Sequence, residues 1–176
     1  MRVAVNNEVG IEYEGFGPED GVPMLLCTGS SVQLVWWWDE FVQKLVDRGY
    51  RVIRFDNRDA GLSTHIEMDL AASMAAAFAD GVAPYTLSDI ANDAVALLDD
   101  LGIDKAHIVG QSMGGMTVQT MALEHPERVL SVCSIGSSTG APEVGAPDAA
   151  GTAALMGSGP PPTTRDDGAD RYVQMW

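Results

Sequence analysis

A serine stands where a predicted strand turns directly into a predicted helix. Residues 105–115 read Lys-Ala-His-Ile-Val-Gly-Gln-Ser-Met-Gly-Gly, and the serine is Ser112. A short apolar strand, a sharp turn with serine at its apex and a following helix are the setting of a G-x-S-x-G nucleophile elbow. Gly110 and Gly114 lack the Cβ atoms that would collide where strand and helix approach each other. The pattern predicts a nucleophilic hydroxyl at Ser112, beside the N–H groups of a helix start that could stabilise an oxyanion.

The elements that must position this serine recur along the chain. Short apolar runs, typical of strands covered on both faces, occur at residues 23–28, 51–55, 105–109 and 129–135. Segments with helical patterning occur at residues 39–48, 68–80, 86–101 and 113–124. Strands that alternate with helices of this length predict βαβ units with right-handed crossovers. We therefore predict an α/β fold with a mostly parallel β-sheet and helices on both faces.

The two ends of the chain do not follow this alternation of strands and helices. At the start, alternation around Asn6-Asn7 predicts a β-hairpin in which Arg2–Val5 pairs with Val9–Glu14. Beyond residue 135, Gly, Ala, Pro, Ser, Thr and Asp dominate, which is typical of a long loop or lid. We predict a folded core over residues 1–140 and the start of a lid, or a flexible tail, over residues 141–176.

The composition narrows the class of protein. Of 176 residues, 46% are hydrophobic and 20% charged, as in soluble globular domains. The net charge of −15 argues against nucleic acid or an anionic membrane surface as a partner, because both repel an acidic protein. The opening residues lack the pattern of a secretory signal, and no apolar run reaches the ~20 residues that span a bilayer. We expect a cytoplasmic protein in which Cys27 and Cys133, each within an apolar run, are buried free thiols.

Three motifs resemble the α/β-hydrolase superfamily, in the order that this family has. Residues 25–30, Leu-Leu-Cys-Thr-Gly-Ser, are similar to the strand and turn that supply one oxyanion-hole N–H. Residues 55–63, Phe-Asp-Asn-Arg-Asp-Ala-Gly-Leu-Ser, are similar to the D-x-R-G-x-G-x-S loop, and residues 110–114 match the elbow. The resemblance covers roughly residues 1–140 and implies the N-terminal portion of an α/β-hydrolase fold.

The resemblance also implies an activity and a set of site residues. Within the superfamily the chain most resembles single-domain esterases with a lid, including methyl-ester hydrolases that act on aromatic polyketides. Ser112 would be the nucleophile, and the backbone N–H groups of Ser30 and Met113 would form the oxyanion hole. The chain departs from the family where Thr28-Gly29 replaces His-Gly and where Asp59 replaces the glycine after the loop arginine. Neither departure removes a catalytic atom, since the oxyanion donor is a backbone group.

In this superfamily the triad acid and histidine follow the serine along the chain, and the resemblance places them beyond residue 176. The three histidines present are poor substitutes. His107 should project from a sheet face. His125 should lie at the far end of the elbow helix, about 18 Å away at 1.5 Å per residue. His65 falls in a loop at the carboxyl edge of the sheet, where we predict that it lines the pocket or is exposed rather than acting as the base.

Other chemically capable residues have structural interpretations. Asp56 and Arg58 predict a turn-forming ion pair. Residues 36–38, three tryptophans, form either an aromatic wall facing the substrate or a hydrophobic plug at a helix start, with at least one in the core. Methionines near the elbow predict core packing; they are Met113, Met116 and Met121. Neither metal-ligand spacing nor a phosphate-binding glycine loop occurs, so we expect no metal and no cofactor.

We therefore interpret the chain as part of a serine hydrolase that cleaves small-molecule carboxylic esters through an acyl-enzyme, with the triad acid and histidine outside residues 1–176. Serine at the elbow disfavours dehalogenase and epoxide-hydrolase chemistry, for which this superfamily uses aspartate. A cofactor-free haloperoxidase or a C–C bond hydrolase of the same superfamily stays open, as does a catalytically incomplete half-domain that serves binding or assembly. In that half-domain, the open edge of strand 129–135 predicts self-association, such as a dimer.

Overall fold

Six strands form one sheet in the computed structural model, which describes residues 2–5, 9–67, 83–141 and 150. The strands are β1 (Arg2–Val5), β2 (Val9–Phe16), β3 (Val22–Cys27), β4 (Tyr50–Phe55), β5 (Ala106–Gln111) and β6 (Val129–Ile135). Their spatial order is β1-β2-β4-β3-β5-β6. β4, β3, β5 and β6 run parallel, while β1 and β2 pair antiparallel at one side. The predicted mostly parallel sheet is confirmed.

Three described helices cover the two faces of the sheet: α1 (Asp39–Val46), α2 (Leu87–Asp100) and α3 (Met113–Glu124). Short 3-10 turns lie at Leu34–Trp36 and Pro126–Arg128. Successive side chains of a strand point to opposite faces. On β3, Met24 and Leu26 therefore pack with α1, whereas Leu25 and Cys27 pack with α2 and α3. The prediction of helices on both faces is confirmed.

Local signals placed most element boundaries within two residues. β1 and β2 pair antiparallel as predicted, with Arg2 opposite Glu12 and Val5 opposite Val9, and the turn predicted at Asn6-Asn7 lies outside the described residues. α2 begins at a capping box, in which Asp89 N–H donates to Thr86 Oγ1 at 3.2 Å and Thr86 N–H donates to Asp89 Oδ2 at 2.7 Å. The helix predicted over residues 39–48 ends at Val46, and the helix predicted over residues 68–80 lies outside the described residues.

The strand order contains a switch point between β3 and β5. From β3 the chain crosses to β4 on one side, and β5 then pairs with β3 on the other side. Connections that leave adjacent strands in opposite directions open a crevice outside the carboxyl ends of those strands. The turn after β3 and the turn after β5 both start at this crevice. The topology therefore brings residues 28–30 and Ser112 to the same edge of the sheet.

β6 corrects one sequence-based prediction. Among the described strands it lies at the edge of the sheet, and nearly all of its side chains are exposed, including Leu130, Val132 and Ile135. Cys133 is exposed with them, so the prediction that it is buried was wrong: an apolar run at a sheet edge is not covered by the described elements. Cys27 is a buried free thiol as predicted, and burial raises its pKa to about 12, which keeps it protonated at neutral pH.

The chain divides into two units, residues 1–139 and 140–176. Of the second unit the structure describes only residues 140, 141 and 150, so the lid or tail predicted over residues 141–176 lies almost entirely outside the described residues. Within the described ranges, no helix is long and apolar enough to cross a membrane.

Candidate active site

Ser112 occupies the turn between β5 and α3 in a backbone conformation that L-residues rarely adopt. Its φ is +56° and its ψ is −119°. Such strain costs on the order of 1–3 kcal/mol and persists only where the surrounding structure enforces it. Ser112 N–H donates to the Ile135 carbonyl at 3.0 Å, and the Ser137 hydroxyl donates to the Ser112 carbonyl at 2.7 Å. The end of β6 therefore holds this turn, and Ser112 itself is exposed at the sheet edge.

Two glycines allow the elbow to form. A Cβ atom on Gly110 would lie 2.0 Å from the Gly114 carbonyl oxygen, so β5 and α3 can approach only without it. This is the collision that the sequence predicts. A Cβ atom on Gly114 would instead lie 2.3 Å from the Cys27 carbonyl oxygen and 2.5 Å from that of Thr28. Gly114 therefore lets the elbow helix approach the end of β3, a neighbour that local sequence does not reveal.

The turn after β3 passes directly beside the serine. An ideal Cβ on Gly29 would lie 3.3 Å from Ser112 Cβ. Ser30 follows Gly29 and is exposed at the same edge. Met113 is the first residue of α3, and the first intrahelical bonds run from Gly115 and Met116 N–H to the Ser112 carbonyl. The turn that carries Ser30 and the start of α3, with its free N–H groups, therefore both lie beside Ser112.

The three histidines of the chain are all described, and two are engaged away from the elbow. The His107 ring nitrogen Nδ1 lies 2.7 Å from Ser131 Oγ, on the face of the sheet as predicted. His125 Nε2 lies 2.8 Å from Asn92 Oδ1, at the far end of the 12-residue helix α3. His65 is exposed, with Nε2 3.2 Å from the Gly61 carbonyl oxygen.

The predicted ion pair between Asp56 and Arg58 does not form. The buried Asp56 carboxylate accepts the Leu34 N–H at 2.6 Å and the Leu62 N–H at 2.9 Å. Arg58 instead makes a two-pronged ion pair with Asp93 of α2, with Nε 2.6 Å from Oδ2. Asp56 is therefore bound by backbone N–H groups, and Arg58 by Asp93, which lies 35 positions away in the sequence, rather than by each other. Asp56 therefore ties two loops together and has a structural role.

Asp59 shows why the family pattern has glycine at this position. Its φ is +63°, in the left-handed region that glycine enters without steric cost and that Asp tolerates. Its carboxylate accepts the Ile66 N–H at 2.6 Å. Burial, together with a hydrogen bond to Asp59, raises the pKa of Tyr85 to about 12. The departure from glycine therefore adds a side chain that secures the stretch 59–66 through the Ile66 N–H.

The exposure of the side chains tests the prediction of a core tryptophan and that of core packing by the methionines. Trp37 is 7% exposed and stacks on Phe41 with ring centroids 5.6 Å apart, whereas Trp38 is 69% exposed. The prediction that at least one of these tryptophans lies in the core is confirmed. Met121 is fully buried, but Met113 and Met116 are only half-buried near the elbow. Core packing was therefore right for Met121 and only partly right for the other two.

Sequence reasoning missed two polar side chains at this edge. Asn57 is buried, and its amide nitrogen lies 3.3 Å from the Thr28 carbonyl oxygen and 3.2 Å from Thr28 Oγ1. Ser137 is the donor to the Ser112 carbonyl described above. Each lies two residues beyond a parallel strand, β4 or β6, and the rule that sites form at carboxyl ends of strands would have singled them out. In the ranges that the structure describes, no group of three or more His, Cys, Asp or Glu side chains is placed to hold a metal ion.

Comparison with known proteins gives matches over most of the chain. A family model described as alpha/beta hydrolase fold matches residues 22–163. The chain is 37% identical to rhodomycin D methylesterase of Streptomyces peucetius over 131 residues, which are 74% of this chain and 40% of that protein. It is 32% identical to 3-oxoadipate enol-lactonase 2 of Acinetobacter baylyi over 121 residues, 69% of this chain and 39% of that protein.

A solved structure gives the same result for the fold. The enol-lactonase from Burkholderia xenovorans LB400 matches with a TM-score of 0.67 and 27% identity, over 82% of this chain and 50% of that one. The chain spans about two fifths of the length of the two curated relatives, at 40% and 39%.

Proposed function

Because the chain belongs to the α/β-hydrolase-fold family, we propose that it carries the nucleophile of a serine hydrolase that acts on carboxylic esters. The observation that carries this proposal is the strained, exposed Ser112 at the strand-to-helix turn, with the Gly29 backbone against its side chain. Strain of this kind is retained at functional sites because it aims a reactive group. A serine in a merely structural turn would gain nothing from it.

In the proposed reaction, Ser112 Oγ attacks the acyl carbon of the ester while a base takes the hydroxyl proton. The carbonyl oxygen becomes an oxyanion, for which the Met113 and Ser30 N–H groups are the proposed donors; each such donor contributes roughly 3–4 kcal/mol where measured. Collapse of the tetrahedral intermediate breaks the ester C–O bond, and the base gives the Ser112 proton to the departing oxygen, which leaves as the alcohol. Water then hydrolyses the acyl-enzyme and frees the acid and Ser112.

The positions of the histidines support a base from outside residues 1–176. His107 is paired with Ser131 on the sheet face, and His125 is paired with Asn92 at the end of α3. His65 is exposed and lies against the Gly61 carbonyl. The reading frame beyond codon 176 tests this point: continued sequence with a late Asp and a Gly-His would supply the triad, and an authentic stop codon would contradict it.

Two relatives support the ester as substrate class. One is named a methylesterase and another an enol-lactonase. A methyl ester and an enol lactone share the acyl–oxygen bond that the proposed mechanism breaks. We propose carboxylic esters, with methyl esters of aromatic polyketides as the first substrates to test, in preference to haloperoxidase or C–C bond hydrolase chemistry.

The proposed role of Ser30 rests on its backbone alone, which allows a sharp test in the full-length protein that contains residues 1–176. Ser30→Ala keeps the N–H, so we expect kcat to fall less than about tenfold. Ser30→Pro removes the N–H, and we expect kcat to fall about 10²–10³-fold in steady-state assays with a p-nitrophenyl ester. A loss of about 10²-fold or more in Ser30→Ala would show that the hydroxyl contributes and would overturn this assignment.

The second candidate function, assembly through β6, is favoured by the exposed side chains of that strand. Leu130, Val132 and Ile135 are each more than 40% exposed along an edge that pairs on one side only among the described strands. Open strand edges and apolar patches promote association. We therefore propose that residues 1–176 alone self-associate.

For residues 1–176 expressed alone, we expect a mass in solution above that of a monomer and slow, incomplete labelling by a fluorophosphonate probe. Without a base the hydroxyl is a weak nucleophile, although oxyanion stabilisation alone can leave about 10³–10⁴-fold acceleration over water. Light scattering and a labelling time course, read by peptide mass spectrometry, make the measurement. A monomer that labels stoichiometrically at Ser112 within minutes would show that a base is present, and His65 would be the first residue to replace.

A further inference from the structure

We infer that Asn57 is a positioning residue for the oxyanion hole: its buried amide holds Thr28 and thereby orients the backbone that carries the Ser30 N–H. The inference rests on the proposed function. Asn57 is 3% exposed, and its Nδ2 group lies within hydrogen-bond distance of both the carbonyl oxygen and the hydroxyl of Thr28. Thr28 is also fully buried, 29 positions earlier in the chain. Asn57 thus joins the end of β4 to the turn after β3.

The Thr28 carbonyl oxygen has two close neighbours. α3 approaches so closely that a Cβ on Gly114 would lie 2.5 Å from this oxygen. The same oxygen accepts from Asn57 at 3.3 Å. Fixing this carbonyl fixes the plane of the Thr28–Gly29 peptide, from which the next peptide, the one that carries the Ser30 N–H, starts. A donor displaced by about 1 Å can cost about 10²-fold in rate, so this restraint matters for catalysis.

Of the two polar atoms in the Asn57 side chain, the amide nitrogen is the one with hydrogen-bond partners among the described groups. The Oδ1 atom is buried and has no hydrogen-bond partner among the described protein groups. Burying an unpaired carbonyl lowers stability, and an apolar side chain of similar size would avoid that loss. The amide nitrogen is therefore the part of Asn57 that the fold uses, and it is directed at Thr28.

The partner residue is itself unusual. Thr28-Gly29 replaces the His-Gly pair of the α/β-hydrolase pattern, so Thr28 stands at the histidine position. The threonine hydroxyl gives Asn57 a second acceptor on the same residue, at 3.2 Å. Thr28 and Asn57 therefore form one unit. The hydrogen bond to the Thr28 carbonyl orients the Thr28–Gly29 peptide, and the hydrogen bond to the Thr28 hydroxyl helps to hold the Asn57 amide in place.

The test compares variants of the full-length protein in p-nitrophenyl ester hydrolysis and in binding of a trifluoromethyl ketone, which forms a tetrahedral oxyanion on a serine nucleophile. For Asn57→Ala we expect kcat to fall about 10- to 100-fold with KM within about threefold, and ketone affinity to fall by the same factor as kcat/KM. Asn57→Leu has a similar size and cannot donate, so it should show the same losses and provides the test if the alanine variant does not fold. Thr28→Val removes the hydroxyl and keeps the carbonyl, so we expect kcat to fall only about two- to fivefold.

Asn92→Ala is the matched control, because Asn92 is bonded to His125 away from the elbow and its loss should leave kcat unchanged. A folded Asn57→Ala variant with kcat within about threefold of the unaltered protein, or with a change in KM alone, would overturn the inference. If Ser112→Ala keeps its activity, the proposed function fails and the inference falls with it. If Ser112→Ala is inactive while Asn57→Ala turns over normally, only the inference fails.

Discussion

Ser112→Ala in the full-length protein is expected to lower kcat for a p-nitrophenyl ester by about 10⁴–10⁶-fold. The substitution removes the only atom that forms the acyl-enzyme in the proposed mechanism, Ser112 Oγ. It leaves the backbone donors in place, so a residual acceleration of about 10³–10⁴-fold over water is compatible with the mechanism. KM should change little, because the ground-state ester does not need the hydroxyl to bind.

The control for this variant is Ser88→Ala, which removes a hydroxyl that donates to Glu124 Oε1 at 2.7 Å on the surface of α2. It should keep normal turnover. Circular dichroism should show that both variants fold. At position 112 alanine and serine have the same strain at φ +56°, so Ser112→Ala should not unfold the protein. Normal turnover by a folded Ser112→Ala variant would remove the serine from the mechanism.

Gly114→Ala is expected to lower the free energy of unfolding by about 3 kcal/mol, the upper range for overpacking. The new methyl group would lie 2.3 Å from the Cys27 carbonyl oxygen and 2.5 Å from that of Thr28. Both atoms are backbone, so no side chain can rotate away, and α3 must move from β3. Because domains have only about 5–15 kcal/mol of stability, the loss is large, and the displaced turn should lower kcat as well. Urea unfolding followed by tryptophan fluorescence measures the first effect.

Gly15→Ala, in β2, provides the comparison at a glycine with open space around it. A Cβ on Gly15 would meet nothing within 4 Å. We expect its free energy of unfolding to change by less than about 1 kcal/mol, since glycine in a strand is itself slightly unfavourable. Equal effects of Gly15→Ala and Gly114→Ala would mean that the close approach of α3 to β3 is not rigid.

Sequence patterns were sufficient for the elements and for the elbow. Each strand from β3 to β6 is a short apolar run, and each of α1, α2 and α3 has helical patterning with a recognisable end. The capping box of Thr86 and Asp89 and the G-x-S-x-G turn lie within a few residues, so their geometry is encoded locally. The position of Ser112 as a candidate nucleophile follows from that local geometry, although its chemical role stays a prediction.

Partners distant in the chain required the tertiary structure. Arg58 pairs with Asp93 rather than Asp56, and Asn57 reaches back 29 positions to Thr28, because the crossings of a parallel sheet bring strand ends together. Cys133 and Cys27 lie in similar apolar runs, yet the described residues cover both faces of β3 at Cys27 and leave β6 exposed at Cys133. Local sequence therefore determined which segments form strands, helices and the elbow. Strand order decided which side chains meet there, because burial and hydrogen-bond partners depend on neighbours that the chain reaches only after folding.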